Sequence, residues 1–196
     1  MKRFVALLFS ACMIPMLVAC GSESAESSSD SETNASTGNK ILVAYFSCTG
    51  TTEQIAEWIA EGTGADSYEI VPEDPYTEED LAYYTGGRAD REQADSSARP
   101  VISGSVENID QYNVIFLGYP IWHGQAPRII STFLESYDFS GVTIIPFCTS
   151  HSSGIGSSAE DLYSLCSDTV TWMDGQRFSG DSSENEVVEW INGLGL

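Results

Sequence analysis

Residues 40–52, K-I-L-V-A-Y-F-S-C-T-G-T-T, set the architecture of the whole chain. They begin with an apolar, β-branched run (41–46) that has no polar alternation, which indicates a strand buried on both faces within a parallel sheet. Residues 53–61, E-Q-I-A-E-W-I-A-E, then place apolar side chains at helical spacing. Strand, polar turn and helix therefore follow one another, and the N-terminus of the helix points its free N–H groups at the turn.

The polar turn has the properties of an anion-binding site. Gly50 allows the backbone to approach a bound group closely, and the neighbouring hydroxyls can donate hydrogen bonds to it. Because the turn contains no lysine or arginine, neutral donors would hold the group, which suits a phosphate monoester that stays bound. Thr51 and Gln54 fit a capping box, which predicts that the helix starts at this turn. Alternatively, the turn is empty and the stretch is only a capped helix after a core strand.

This turn resembles the FMN-phosphate loop of flavodoxins, S/T-x-T-G-x-T. The characteristic positions are occupied by Ser47, Thr49, Gly50 and Thr52, with Cys48 at the variable place. The resemblance implies that the whole turn, Thr51 included, binds the phosphate of FMN. The P-loop signature G-x-x-x-x-G-K-[ST] does not occur in the turn.

Low-molecular-weight phosphatases share a similar sheet and use C-x5-R after their first strand. Cys48 is suitably placed for this motif, but Gln54 stands where the arginine is required. Without a guanidinium, the phosphoryl transition state would lack its clamp. The phosphatase interpretation therefore fails on one residue.

Strand and helix patterns alternate five times after residue 40. Strands are predicted at 41–46, 67–71, 112–118, 142–148 and, weakly, within 169–178 around Gly175; helices are predicted at 53–61, within 78–93, and at 127–137, 157–165 and 183–191. Capping boxes Ser157/Glu160 and Ser183/Glu186 would start the last two helices. This alternation predicts an α/β three-layer sandwich with a five-stranded parallel sheet of flavodoxin-like order 2-1-3-4-5. Ligands would bind beyond the carboxyl ends of strands 1 and 3.

The loop after the third predicted strand is residues 119–127, Y-P-I-W-H-G-Q-A-P. It resembles the isoalloxazine loop P-I-W-x-G-x-A-P of one flavodoxin-like branch. The resemblance implies flavin contacts from Pro120, Ile121, Trp122, His123 and Gly124. Trp122 would supply a flat apolar wall, and backbone amides of residues 123–126 would meet the polar edge of the ring. Alternatively, Trp122 is a core anchor that pins the loop to the sheet.

The loop after the fourth predicted strand is residues 149–156, T-S-H-S-S-G-I-G, and is similar to a T-S-x-x-S-G-I-G run of the same branch. The resemblance implies flavin contacts from Thr149, Ser150, His151, Ser152 and Gly154. A G-x-G-x-x-A match beginning at Gly154 also fits a dinucleotide fingerprint, but that fingerprint belongs in the first strand-to-helix turn.

Two histidines and two tyrosines have open roles at this stage. His123 and His151 could hydrogen-bond the flavin or be solvated loop residues. Tyr83 and Tyr84 could cover the flavin ring, but we expect them to pack the crossover helix against the sheet.

Residues 1–19 have the pattern of a targeting segment. Lys2 and Arg3 precede an apolar run that is too short for a comfortable membrane span. The ending L-V-A-C resembles a bacterial lipoprotein signal, which implies lipidation of Cys20 and a lipid-anchored, extracytoplasmic protein at the cell membrane. An ordinary secretory signal is the alternative. Residues 20–39 are too polar to form a core and predict a flexible tether, which leaves residues 40–196 as one flavodoxin-like domain.

The composition is strongly acidic, with a net charge of −21 that becomes −23 if Lys2 and Arg3 leave with the signal. Such a surface repels nucleic acid and attracts basic partners. Cys48, Cys148 and Cys166 are expected to be free thiols, because no pair is placed for disulfide geometry. No C-x-x-C or His/Cys spacing indicates a metal site.

Together these features predict an FMN-binding, flavodoxin-like electron-transfer protein whose partner is a redox protein or a small-molecule electron acceptor. The alternative is an FMN-dependent oxidoreductase that acts on NAD(P)H or a quinone-type substrate. A flavin-free binding domain on the same scaffold is a third possibility.

Overall fold

The computed structural model describes residues 39–196, so the predicted signal segment, Cys20 and the tether up to residue 38 lie outside the described residues. The strands are β1 Ile41–Tyr45, β2 Asp66–Glu69, β3 Val71–Pro72, β4 Ile102–Ser103, β5 Val114–Pro120, β6 Thr143–Thr149, β7 Thr171–Trp172 and β8 Gln176–Phe178. The α-helices are α1 Thr51–Thr63, α2 Glu78–Leu81, α3 Arg88–Ala94, α4 Arg128–Glu135 and α5 Glu184–Leu194, and short 3₁₀ helices span Ile109–Gln111 and Glu160–Leu165.

The central sheet has the order β2-β1-β5-β6, and both β7 and β8 pair with the far edge of β6. Every pairing in this sheet is parallel. The predicted order 2-1-3-4-5 is therefore confirmed, and the carboxyl ends of β1, β5 and β6 lie side by side. A separate antiparallel pair, β3 with β4, forms a small second sheet.

Two hydrophobic clusters cover the two faces of the sheet, because alternate residues of each strand point to opposite sides. Leu42 and Ile115 belong to the cluster that includes the apolar side of α4. Val43 and Phe116 belong to the cluster that includes α1 and α5. This arrangement gives the predicted three layers, and it explains why β1 and β5 are apolar without alternation.

The start of α1 differs from the prediction. Gly50 is the N-cap residue, with a φ of 82° and no side-chain cap, and Thr51 is already helical. The capping box of Thr51 with Gln54 is therefore wrong. The chain enters the helix through the left-handed backbone of Gly50, which only glycine adopts without strain.

Three other elements also differ in detail. The predicted helix 157–165 is a 3₁₀ helix, Glu160–Leu165, without a side-chain cap, so its capping box is wrong, whereas the one at Ser183 and Glu186 is confirmed. The fifth strand is split into β7 and β8 around Gly175, where a Cβ atom would lie 2.4 Å from Ile155 Cδ1. The crossover contains two short helices, α2 and α3, instead of one.

Within residues 39–196, no helix has both the length and the apolar character needed to cross a membrane.

Candidate functional site

The phosphate turn, residues 47–52, presents a cup of N–H donors at the start of α1. The N–H of Gly50 donates to Ser47 Oγ over 3.1 Å and thereby closes the turn. The N–H groups of Cys48, Thr49 and Thr51 have no acceptor within the described part of the chain. Together with the helix dipole, these donors favour a negatively charged group in the cup.

A buried hydrogen bond connects the phosphate turn to the third predicted loop. Thr52 Oγ1 and Thr149 Oγ1 lie 2.7 Å apart, and both residues are almost completely buried. Since each hydroxyl has one proton, one of the two donates within the pair and the other keeps its proton for a further acceptor. The bond fixes the end of β6 against the first turn of α1.

The second predicted loop contains a two-residue β-hairpin. Trp122 and Gln125 exchange two backbone hydrogen bonds of 2.9 Å each. His123 and Gly124 between them have φ values of 49° and 80°, as a type I′ turn requires. The N–H of Gln125 is used inside the hairpin, so the predicted ring-edge donors are reduced to the amides of His123, Gly124 and Ala126.

Trp122 is 7% exposed and packs edge-on against two other aromatic rings. The ring centroids lie 5.4 Å from Phe46 and 5.2 Å from Tyr76. The hydroxyl of Tyr76 in turn donates to Glu92, which also pairs with Arg88 over 2.7 Å. These are the contacts of the core anchor considered above, although Trp122 also lines the cleft described below.

Gln93, a buried residue of α3, holds this hairpin in place and is not predicted as a site residue from the sequence. Its Nε2 donates to the carbonyls of Trp122 and Ala126, each over 3.2 Å, and its Oε1 accepts the N–H of Arg128 over 3.1 Å. The one signal in the sequence is its spacing of four residues from Ala89, since both lie on the buried face of the same helix.

Arg177, which lies on β8, is also not predicted as a site residue from the sequence. Its guanidinium donates to the carbonyls of Ser150 and His151 over 2.7 and 2.8 Å. The three predicted loops contain no lysine or arginine, so Arg177 supplies a positive charge to the third loop from outside it.

Two adjoining cavities lie at the carboxyl edge of the sheet. The first, of about 350 Å³, is lined by Ser47, Cys48, Thr49, Thr51, Thr52, Leu81, Tyr83, Pro120, Trp122, Thr149, Ser150, His151 and Gly180. The second, of about 440 Å³, is lined by Tyr83, Tyr84, Ile121, His123, Gly124, Ser150, His151, Ser152 and Ser153. They share three residues, and of the predicted site residues only Gly50 and Gly154 line neither cavity.

Tyr83, Tyr84 and His123 form an aromatic cluster at the second cavity. Their ring centroids lie 5.1 to 6.0 Å apart. Tyr83 is 52% exposed and Tyr84 is 86% exposed, so the expectation that they pack a helix against the sheet is wrong. The hydroxyl of Tyr83 donates to the carbonyl of Ile121 over 3.1 Å, which ties the cluster to the second loop.

Asp90 holds the aromatic cluster from α3. Its Oδ2 accepts the N–H of Gly86 over 2.9 Å, and its Oδ1 lies 2.7 Å from His123 Nε2. The Gly86 N–H and, to a smaller extent, the hydrogen bond with His123 keep the pKa of the Asp90 carboxyl below its usual range.

The sequence model of the flavodoxin family matches residues 40–194. Two solved structures described as flavoproteins, from Bacteroides eggerthii and Bacteroides uniformis, are 41% and 40% identical to this chain; they cover 81% and 79% of it and 99% of their own lengths, each with a TM-score of 0.75. A flavoprotein from Lactobacillus acidophilus, solved in complex with FMN, is 21% identical, covers 79% of this chain and 99% of its own, and has a TM-score of 0.60. The chain therefore belongs to the flavodoxin family.

Proposed function

We propose that this protein binds FMN and transfers electrons between a reductant and either a redox partner protein or a small-molecule acceptor. Membership of the flavodoxin family and the FMN complex of the Lactobacillus flavoprotein support FMN as the cofactor. The observation that carries the proposal is the convergence of three separate loops on two adjoining cavities at one sheet edge.

The residues present fit FMN chemically. The neutral N–H cup of the phosphate turn suits a phosphate that stays bound, and Thr49 and Ser47 add hydroxyls to it. The aromatic and apolar walls of the cavities suit a flat heterocycle, and the amides of His123 and Gly124 suit its polar edge. The cavity volumes lie within the range of roughly 300–1,000 Å³ that is usual for small-molecule sites.

FMN, when bound, supplies the one- and two-electron redox chemistry that amino-acid side chains do not supply themselves. The task of this chain is therefore to bind and orient the cofactor. The phosphate turn fixes one end of it, while Gln93 and Arg177 hold the second and third loops in place beside the remainder. Trp122, which is 7% exposed, contributes an apolar wall to the cleft.

Titration of the purified protein into FMN, followed by quenching of flavin fluorescence, tests the proposal. We expect the double variant Thr49→Ala/Thr52→Ala to bind FMN at least about tenfold more weakly, since hydrogen bonds to a charged group are each worth about 1.5–3 kcal/mol. Thr63→Ala, at the other end of α1, removes a matched hydroxyl and should leave the affinity unchanged. A protein that does not retain micromolar FMN would refute the proposal.

We further propose that the chain is exported and anchored to the outer face of a membrane through a lipid on Cys20. The support is the sequence of residues 1–20 alone. Cys20→Ser should release the protein from the membrane fraction of cells that produce it. Persistence of this variant in the membrane fraction would contradict the anchor.

A further inference from the structure

The aromatic cluster of Tyr83, Tyr84 and His123 is a costly arrangement that packing does not require. Tyr84 and His123 both have left-handed backbones, with φ values of 59° and 49°, which bulky residues rarely adopt. Tyr84 also leaves 86% of its surface in contact with solvent. Glycine or asparagine would suit the turn position of His123 better, so the ring itself is the reason to place a histidine there.

The second cavity differs chemically from the rest of the surface. The chain carries 29 acidic residues, yet none of those in the part that the structure describes lines this cavity. Its walls are two tyrosine rings, two imidazoles, serines and backbone. The carboxylate of Asp90, which contacts the His123 ring, is already engaged by His123 Nε2 over 2.7 Å and by the N–H of Gly86 over 2.9 Å. A cationic ligand would therefore find no unengaged carboxylate among the lining residues, and a neutral, flat and weakly polar molecule fits these walls best.

The same cavities argue against a nicotinamide dinucleotide as the second ligand. Among residues 39–196, no lysine or arginine lines either cavity, so a pyrophosphate would find no cationic partner there. The guanidinium of Arg177 is already engaged by the carbonyls of Ser150 and His151. Neutral ring systems avoid this requirement.

We propose that the aromatic cluster binds a neutral aromatic electron acceptor of the quinone class, next to the cofactor. This inference rests on the proposed function, since it places the acceptor beside bound FMN. Tyr84 and Tyr83 provide stacking surface, and His123 provides a ring nitrogen for a hydrogen bond. Because the Asp90 carboxylate only accepts, Nε2 carries a proton towards it and Nδ1 remains for the ligand. Nδ1 of the neutral ring accepts from a hydroxyl of the hydroquinone, and Nδ1 of the protonated ring donates to a quinone oxygen.

The exchange balances without another reactant. A quinone takes up two electrons and two protons to become the hydroquinone, and fully reduced FMN releases the same two electrons and two protons as it returns to the oxidised form. The site would thus select the acceptor by shape and stacking.

The test uses the full chain loaded with FMN and menadione, a simple naphthoquinone, as the probe. Binding is followed by saturation-transfer NMR, and the FMN affinity of each variant is measured in parallel. We expect Tyr84→Ala to weaken menadione binding about tenfold, because loss of one stacking ring typically has an effect of this size. Tyr84→Phe keeps the ring and should bind menadione normally.

Tyr163→Ala is the matched control. Tyr163 is also an exposed aromatic residue, but it stacks on Trp172, with ring centroids 4.6 Å apart, and lines neither cavity. This variant should change neither affinity.

Three results would overturn the inference: menadione that does not bind the unaltered protein, equal menadione binding by Tyr84→Ala and Tyr163→Ala, or a tenfold loss of FMN affinity in Tyr84→Ala. The last result would assign the cluster to the cofactor itself. If the unaltered chain retains no FMN, the proposed function fails. The same menadione titration on the cofactor-free chain then shows separately whether the aromatic cluster binds a quinone.

Discussion

The phosphate turn and the aromatic cluster border the same cleft, but they are held in place by different interactions. The phosphate turn lies between β1 and α1, and its buried end is fixed by the Thr52–Thr149 hydrogen bond. The aromatic cluster combines Tyr83 and Tyr84 from the crossover with the tip of a hairpin, and all three of its rings are reachable by solvent. Few polar contacts, chiefly those of Gln93 and Asp90, fix its position.

This difference indicates a division of labour within the cleft. A turn held by the core of the sheet is preorganised, so its N–H groups would need no rearrangement to bind an anion. A cluster held by a few polar contacts can adjust to ligands of different outline. Substitutions that remove one set of contacts should therefore affect the two sides separately.

The largest effect is expected from Gln93→Leu, which removes hydrogen bonds that hold the hairpin beside the aromatic cluster. The substitution leaves the buried Ala126 carbonyl and the part-buried N–H of Arg128 without their partner, whereas the Trp122 carbonyl keeps its hydrogen bond from the N–H of Gln125. Each unsatisfied buried group costs about 1–3 kcal/mol, so we expect a loss of about 3 kcal/mol in the free energy of unfolding. Urea unfolding measures it through the midpoint of the transition.

An exposed glutamine provides the control for this substitution. Gln54 lies exposed on α1, and within the described residues its side chain hydrogen-bonds to Glu57, so Gln54→Leu should change stability by no more than about 0.5 kcal/mol. Equal effects at positions 54 and 93 would mean that Gln93 does not hold the hairpin.

Thr52→Val tests how the phosphate turn is held in place and should have an intermediate effect on the free energy of unfolding. The variant leaves the Thr149 hydroxyl buried without its partner, which costs about 1–3 kcal/mol. In the double variant Thr52→Val/Thr149→Val both partners are apolar, so most of this loss should be recovered. Unfolding measurements on the four proteins of this cycle give the coupling. Additive losses would show that the two hydroxyls do not depend on each other.

The parts of the molecule that could be predicted from the sequence are those that depend on local pattern. The buried runs of β1, β5 and β6 identify the sheet, and the three loops after them follow from strand order and motif. Family resemblance predicts that the same loops contact the cofactor. These features are contiguous in sequence, so tertiary packing has little room to alter them.

The remainder depends on contacts between distant residues. At Gly175, between β7 and β8, the backbone approaches Ile155 so closely that a Cβ atom would not fit, and no local pattern reveals that approach. Gln93 and Arg177 act on loops more than 25 residues away in sequence. The exposure of Tyr84 follows from how the crossover is arranged, and a polar stretch with two short helices carries almost no periodic signal.

The smallest expected effect concerns pH and the contact between Asp90 and His123. The folded-state pKa of Asp90 is lowered, first by the Gly86 N–H and then by His123. The stabilisation is therefore complete above the unfolded-state pKa of about 3.9, and it is lost as the pH falls through the lower folded-state value. Asp90→Asn should remove this part of the acid sensitivity in urea unfolding below about pH 4. Asp138, whose carboxylate accepts hydrogen bonds from Ser140, is the matched control. Asp138→Asn should also reduce acid sensitivity, but of the two variants only Asp90→Asn should shift the NMR resonances of the His123 ring, because Asp90, unlike Asp138, is hydrogen-bonded to that ring. An unchanged His123 spectrum in Asp90→Asn would remove this carboxylate from the set of contacts that hold the aromatic cluster.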